Sequence, residues 1–158
     1  MNDVCDQTAR AVAAAEALGL DVDLVRHGPV SSLAEAARAR GIEPRALVKT
    51  MVVRVAADDH RFVLVPGDRQ IAWPRLRALL GVNRVSMPSA EEAYTVTGYE
   101  RGTITPLGSS RVLPVIADSR IDGRISIGAG AHGAGLTLDA GELLRALGAT
   151  IADVTDPA

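Results

Sequence analysis

Two hydrophobic periods alternate along this chain, one helical and one extended. "TARAVAAAEALGL" is alanine-rich and stops at Gly19, which predicts a helix with a glycine cap. "DVDLVRH" alternates weakly and reads as a short strand. After the loop "HGPVSS", Ser31 or Ser32 can cap the helix "LAEAARARG" that Gly41 ends, and Glu35 stands three residues after Ser32, a capping-box spacing. "ALVKTMVVRVA" and "RFVLVPG" are β-branched runs separated by the polar "ADDH", which predicts a hairpin. "PGDRQ" reads as a turn, and Pro74 starts the helix "PRLRALLG". "VNRVSM" reads as a short strand or extended link. "PSAEEAYTVTG" reads as a helix capped by Ser89, with Glu92 three residues on.

The texture changes at Gly98. "GYERGTITPLGSSRVLP" carries Gly98, Gly102, Pro106, Gly108 and Pro114, and reads as a long ordered loop. "VLPVIAD" and "RISIGAG" read as strands, "GAGAHGAG" as a glycine-rich loop, and "LTLDAGELLRALG" as a strand running into a helix capped by Asp139. The strands outnumber the clean βαβ crossovers, and hairpin-like pairs are present. The expectation is an α+β (mixed α/β) fold, with helices packed on a central mixed, largely antiparallel sheet. No repeat or low-complexity linker divides residues 1–158, so one domain is expected.

Composition narrows the core and the partners. Apolar residues make up 47% of the 158, but aromatics only 3%, so Val, Leu, Ile and Ala must build the core. The net charge of −2 argues against a broad nucleic-acid patch, though the arginines leave room for a local basic groove. Cys5 is the sole cysteine and can form no internal disulfide, which points to a reducing cytoplasm. No membrane-spanning stretch and no secretory signal are apparent.

Lys49 is the only lysine among 17 basic residues. In a strand it shares a face with Met51 and Val53, while Val48, Thr50 and Val52 take the other. Two readings stay open on these residues alone. Lys49 can snorkel at a sheet edge, or its ammonium can form a pocket floor that holds a phosphate, polarises an oxygen or forms a Schiff base. "GTITP", with Gly102, Thr103, Ile104, Thr105 and Pro106, makes a restricted loop whose backbone N–H groups can approach a ligand; an ordinary surface turn has the same spacing. Gly128 and Gly130 open the second glycine-rich loop, which lacks Walker spacing. His132 lies within it, and His27 stands at a potential pocket rim beside Gly28 and Pro29. His60 falls in the polar hairpin turn and receives no role. There is no metal-ligand cluster, no G-x-S-x-G elbow and no obvious acid/base carboxylate pair. A hydrolase built on this chain would need few side chains or help from its substrate.

Taken in order, "LVKTMVV", "LVPGDRQI", "TGYERGTITPLGSSRVLPVIAD" and "SIGAGAHGAGLTLDAGELLRALGATIADV" resemble the YbaK/ProX family. This family comprises the editing domain inserted in bacterial prolyl-tRNA synthetases and its free-standing relatives. The resemblance covers about residues 23 to 154, and its most specific parts are V-K-T in a strand and T-G-Y-x-x-G-x-x-x-P-x-G. It implies hydrolysis of the ester of mischarged tRNA, usually one for proline, with no metal or organic cofactor. The family's essential lysine corresponds to Lys49, and its aminoacyl-recognition loop to Gly102–Pro106. Gly128 and Gly130 would let the opposite wall approach, and His132 lies near a histidine that limits amino-acid size in the synthetase domains. Relatives that remove cysteine tend to carry a tyrosine where this chain has Val25 and an aspartate where it has Gly135, so the resemblance implies a small wrong amino acid such as alanine, cysteine or serine without singling out cysteine.

An aminoacyl ester is already activated, and a neighbouring ribose hydroxyl can assist a water. The protein then mainly positions the ester and stabilises the oxyanion. The implied partners are the acceptor end of a mischarged aminoacyl-tRNA and, secondarily, a prolyl-tRNA synthetase; neither membrane nor DNA is implied. A non-catalytic tRNA- or synthetase-binding module is the alternative, since an acidic chain can borrow tRNA affinity from a partner. A small-molecule hydrolase or Schiff-base enzyme ranks last.

Overall fold

A computed structural model describes residues 6–158; Cys5 lies outside them. In chain order the elements are α1 (Thr8–Ala17), β1 (Asp23–Arg26), α2 (Leu33–Ala39), a short 3-10 turn (Pro44–Ala46), β2 (Val48–Ala56), β3 (Asp59–Pro66), β4 (Arg69–Ile71), α3 (Trp73–Leu80), α4 (Ala90–Thr97), β5 (Val115–Asp118), β6 (Arg124–Gly128), β7 (Ala134–Asp139), α5 (Ala140–Leu147), β8 (Thr150–Ala152) and β9 (Thr155–Pro157). The α+β class is as expected, but the strands divide among three sheets. These run β2-β3-β5-β8, β1-β7-β6 and β4-β9. Four pairings are antiparallel, while β5 runs parallel to both β3 and β8.

Local chemistry starts the helices where the spacing predicts. Ser32, Ser89 and Asp139 each accept a hydrogen bond from the backbone N–H three residues later. The β2–β3 hairpin pairs Val48 with Pro66 through to Arg54 with His60. Its faces divide as alternation requires. Val48 and Val52 enter the main core with Leu64, Ile104 and Ile127, whereas Val53 packs with Val63, Leu76 and Val154 on the other side.

His60 departs from expectation. It belongs to β3 rather than to a polar turn, and it is 5% exposed with Nε2 2.6 Å from a Glu92 carboxylate oxygen. The reason is that the turn needs only Ala57 and Asp58, with Asp58 in the left-handed region at φ 60°. The "PGDRQ" segment likewise holds more than a turn, since Arg69–Ile71 pairs with Thr155–Pro157.

Asp118, at the end of β5, joins two of the sheets. It accepts from the Thr155 hydroxyl (2.8 Å), the Val154 N–H (3.2 Å) and the Arg120 N–H (3.1 Å), and it contacts the Arg120 guanidinium. Burial pushes this carboxyl up, but the hydrogen bonds from Thr155, Arg120 and Val154 more than offset it and hold the group below its ordinary range. Because the folded-state value is depressed, the stabilisation is present above the ordinary carboxylate range and is lost as pH falls through the lowered value. Asp118→Ala should cost about 3 kcal/mol at neutral pH, since it strands buried donors. Acid titration of stability should show the wild-type loss in that window, and Asp118→Asn should lack it.

Candidate functional site

The sheets leave a gap at the outer edge of β2. At one end Leu47 bridges Ser126 of β6, and at the other Arg54 and Ser86 exchange main-chain hydrogen bonds of 2.8 and 3.1 Å. Arg54 therefore turns its main-chain groups away from β3. The alternation of an antiparallel ladder aims those of Val52 and Thr50 the same way, into the gap.

A cavity of about 300 Å³ occupies this gap. One wall is β2 from Val48 to Val52, and the other holds Gly102, Ile104 and Gly128. Met87, Pro88 and Ala93 supply an apolar end. The lining contains three cations, Arg40, Lys49 and Arg101, and no carboxylate or histidine. Among the described residues none of the three cations forms an ion pair within 4 Å.

The Lys49 ammonium donates to the Arg69 carbonyl at 2.7 Å, which leaves two of its three donors for other partners. Burial lowers its pKa, partly offset by the Asp68 carboxylate. Thr50 adds a polar group that sequence reasoning passed over. Its Oγ1 is buried, lacks a hydrogen-bond partner, and belongs to a cavity-lining residue. The available signal was a lone hydroxyl between Val48 and Val52 on an otherwise apolar strand face.

The Gly102–Pro106 loop is built from inside. Thr103 donates its N–H and its hydroxyl to the Glu100 carbonyl at 2.9 and 2.7 Å, so its N–H is committed. Thr103, Ile104 and Thr105 are buried, Pro106 is half-buried, and the Thr105 hydroxyl accepts from the Leu107 N–H. The longer loop is held by Tyr99, fully buried, whose hydroxyl donates to the Leu107 carbonyl at 2.5 Å. Arg10 of α1 lies 4.9 Å from that ring and reaches the carbonyls of Gly108 and Thr97. Arg10 was not singled out by sequence, because an arginine in a solvated helix carries no sign of a distant loop. Arg10→Ala should leave the sheets intact but raise amide exchange across residues 98–110, which hydrogen-exchange mass spectrometry would read.

Gly128 meets this loop head on. A Cβ there would lie 2.3 Å from the Ile104 carbonyl oxygen, so only glycine lets β6 end against the loop. Gly130 donates its N–H to the Thr103 carbonyl at 3.0 Å and packs against Tyr99, outside the cavity lining. His132 is exposed, 3.6 Å from Glu100, and lies over Gly102 on its outer side rather than in the cavity. His27 is half-buried and receives a 3.3 Å contact from Arg40 Nε at its Nε2. The structure thus brings Lys49, Gly102, Ile104 and Gly128 into one cavity lining, with Thr103 and Gly130 bracing it.

The family described as "Aminoacyl-tRNA editing domain" matches residues 27–146. Proline–tRNA ligase of Bacillus licheniformis is 33% identical over 109 residues, covering 67% of this chain and 18% of that protein. The corresponding ligase of Caldicellulosiruptor saccharolyticus is 33% identical over 92 residues, covering 58% and 16%. The chain therefore spans under a fifth of these relatives. A solved structure described as a candidate trans-editing enzyme for prolyl-tRNA synthetase superposes with TM-score 0.84 at 26% identity, over 99% of both chains. No helix among the described residues is long and apolar enough to cross a membrane.

Proposed function

The chain belongs to the aminoacyl-tRNA editing domain family, and from that premise we propose that it is a trans-acting deacylase of mischarged tRNA. Its substrate in this reading is a proline tRNA carrying a small wrong amino acid, alanine or serine before cysteine. The observation that carries the reading is the makeup of the cavity: apolar walls, three cations with no ion-pair partner among the described residues, and a lining without carboxylate or histidine. Such a lining suits an anionic ligand with an apolar head. It offers no side-chain base, which suits an ester whose own ribose hydroxyl can assist the attacking water.

The roles follow from position. The two remaining Lys49 donors polarise the aminoacyl carbonyl or hold the adjacent sugar. Main-chain groups of Thr50 and Val52, with the Thr50 hydroxyl, meet the α-amino group and the ribose. Gly102 and Ile104 close over the aminoacyl side chain, with Gly128 fixing their distance from β2. As the ester is attacked, negative charge moves to the carbonyl oxygen, and a preplaced ammonium lowers that barrier. The small volume and the Ile104 wall favour short side chains, though a methylene contributes only about 1–3 kcal/mol of discrimination.

A deacylation panel tests the reading. Proline tRNA charged with alanine, serine, cysteine or proline is incubated with the purified protein. Release of a small wrong amino acid, with prolyl-tRNA spared, is the expected result. Failure to release any of them, together with tRNA binding insensitive to Lys49→Ala, would instead establish a binding module.

A further inference from the structure

Arg40 is the C-terminal cap of α2 and lines two cavities at once. The first is the cavity along β2. The second, about 550 Å³, is lined by Val25 and Thr137 and by the carboxylates of Asp23, Glu43 and Asp122. The other arginines lining this second space are paired. Arg45 lies 3.0 Å from Glu43, and Arg124 lies 2.5 Å from Asp23. Arg40 instead contacts His27 Nε2 at 3.3 Å and Ser126 Oγ at 3.2 Å.

The seat of this guanidinium is built. A Cβ on Gly135 would stand 2.7 Å from Arg40 Nη1 and 2.8 Å from Ser126 Oγ, so glycine leaves the side chain its place. Ser126 is fully buried and fixed by the β6 ladder. Burial lowers the Arg40 pKa, and among the described residues no carboxylate offsets it. A partly desolvated cation without a carboxylate partner is unfavourable until an anion joins it. A planar fork with free donors suits a phosphate oxygen pair.

We propose that Arg40 binds the phosphodiester linking the last two nucleotides of the RNA 3′ end, with the terminal aminoacyl nucleoside in the β2 cavity and the preceding nucleotide over the second cavity. The inference rests on the deacylase reading for the direction of the RNA. It does not rest on turnover. Lys49 is less suited to the same phosphate because the Arg69 carbonyl already holds it, and Arg101 because it is exposed and donates to the Pro88 carbonyl.

Calorimetric titration of unreactive probes decides the point. The probes are adenosine, the dinucleotide CpA, and CpA with an uncharged methylphosphonate linkage. Wild type should bind CpA about tenfold more tightly than the methylphosphonate. Arg40→Gln should bind the two linkages equally, with a larger loss for CpA than for adenosine. Its salt dependence for CpA should fall by about 0.7 in log–log slope. Arg40→Lys should recover part of the preference. Gly135→Ala keeps the charge but displaces it, and should also lose the preference. Equal wild-type affinity for the two linkages would overturn the proposal. So would an Arg40→Gln loss of the same size for adenosine and CpA. Arg40-dependent CpA preference in a protein that deacylates nothing would sink the hydrolase reading alone.

Discussion

Lys49→Ala is expected to lower kcat/KM for deacylation by about 100- to 1,000-fold, the usual size for removing one electrostatic donor from a developing oxyanion. The fold should survive. The ammonium is only half-buried and makes one hydrogen bond, to the Arg69 carbonyl, so the stability change should stay within about 1 kcal/mol. A large drop in thermal unfolding temperature alongside the activity loss would mark the lysine as structural. Lys49→Arg is the sharper variant. The guanidinium is wider and planar, and the space at β2 is already shared with Thr50 and Met51. Full activity in that variant would show that any cation suffices there.

The same lysine gives a pH expectation with a definite sign. Burial depresses its pKa, and the Asp68 carboxylate partly restores it. In the proposed role it is the charged form that binds, so affinity for a non-hydrolysable aminoacyl analogue should fall with rising pH, earlier than an exposed lysine would dictate. Asp68→Asn should move that fall to lower pH still. No shift in this variant would mean that the carboxylate does not act on the ammonium in solution.

Gly128→Ala should be the more damaging methyl of the two cavity-lining glycines, Gly102 and Gly128. It places a carbon 2.3 Å from a backbone oxygen of Ile104, with the Thr103 oxygen at 3.1 Å. Neither oxygen is the far end of a flexible side chain. The loop must move, and overpacking of this kind costs about 1–3 kcal/mol. Its catalytic effect should be larger in proportion, since a displacement near 1 Å can cost about 100-fold in rate. Gly141→Ala is a control: its nearest contacts, 3.3 and 3.4 Å, are side-chain atoms of Asp139 and Arg145. Equal behaviour of the two variants would remove the steric account of Gly128.

Much of this was legible before any coordinates. The three capping residues, the hairpin and the division of faces between Val48–Val52 and Val53 follow from spacing alone. The glycine-rich loops were legible as close approaches, but what each approaches was not. That Gly128 abuts Ile104 while Gly130 packs on Tyr99 depends on contacts over more than twenty residues. β4 and β9 escaped because three residues are too few to display a period. His60 escaped because its polar neighbours fill one turn and the start of a strand alike. Arg40 escaped for a different reason. At the end of a short helix it looks solvated, and only the tertiary fold removes its water and withholds a carboxylate. His132 reads as a site residue from its glycine-rich setting, yet the ring lies outside the cavity lining.

The bridges at the two ends of the β2 edge bear on how the molecule keeps to itself. Unpaired strand edges invite a strand from another chain, and the usual safeguards are charges, prolines or bulges. Here the open run from Val48 to Arg54 spans six residue steps, roughly 20 Å at strand rise. Both ends are stopped, by Ser126 and by Ser86, and Pro88, with no N–H, lies beside the gap. An invading strand would have to begin and finish inside that interval. A compact ligand can enter sideways. The arrangement that keeps main-chain groups available for recognition thus also makes them a poor template for aggregation.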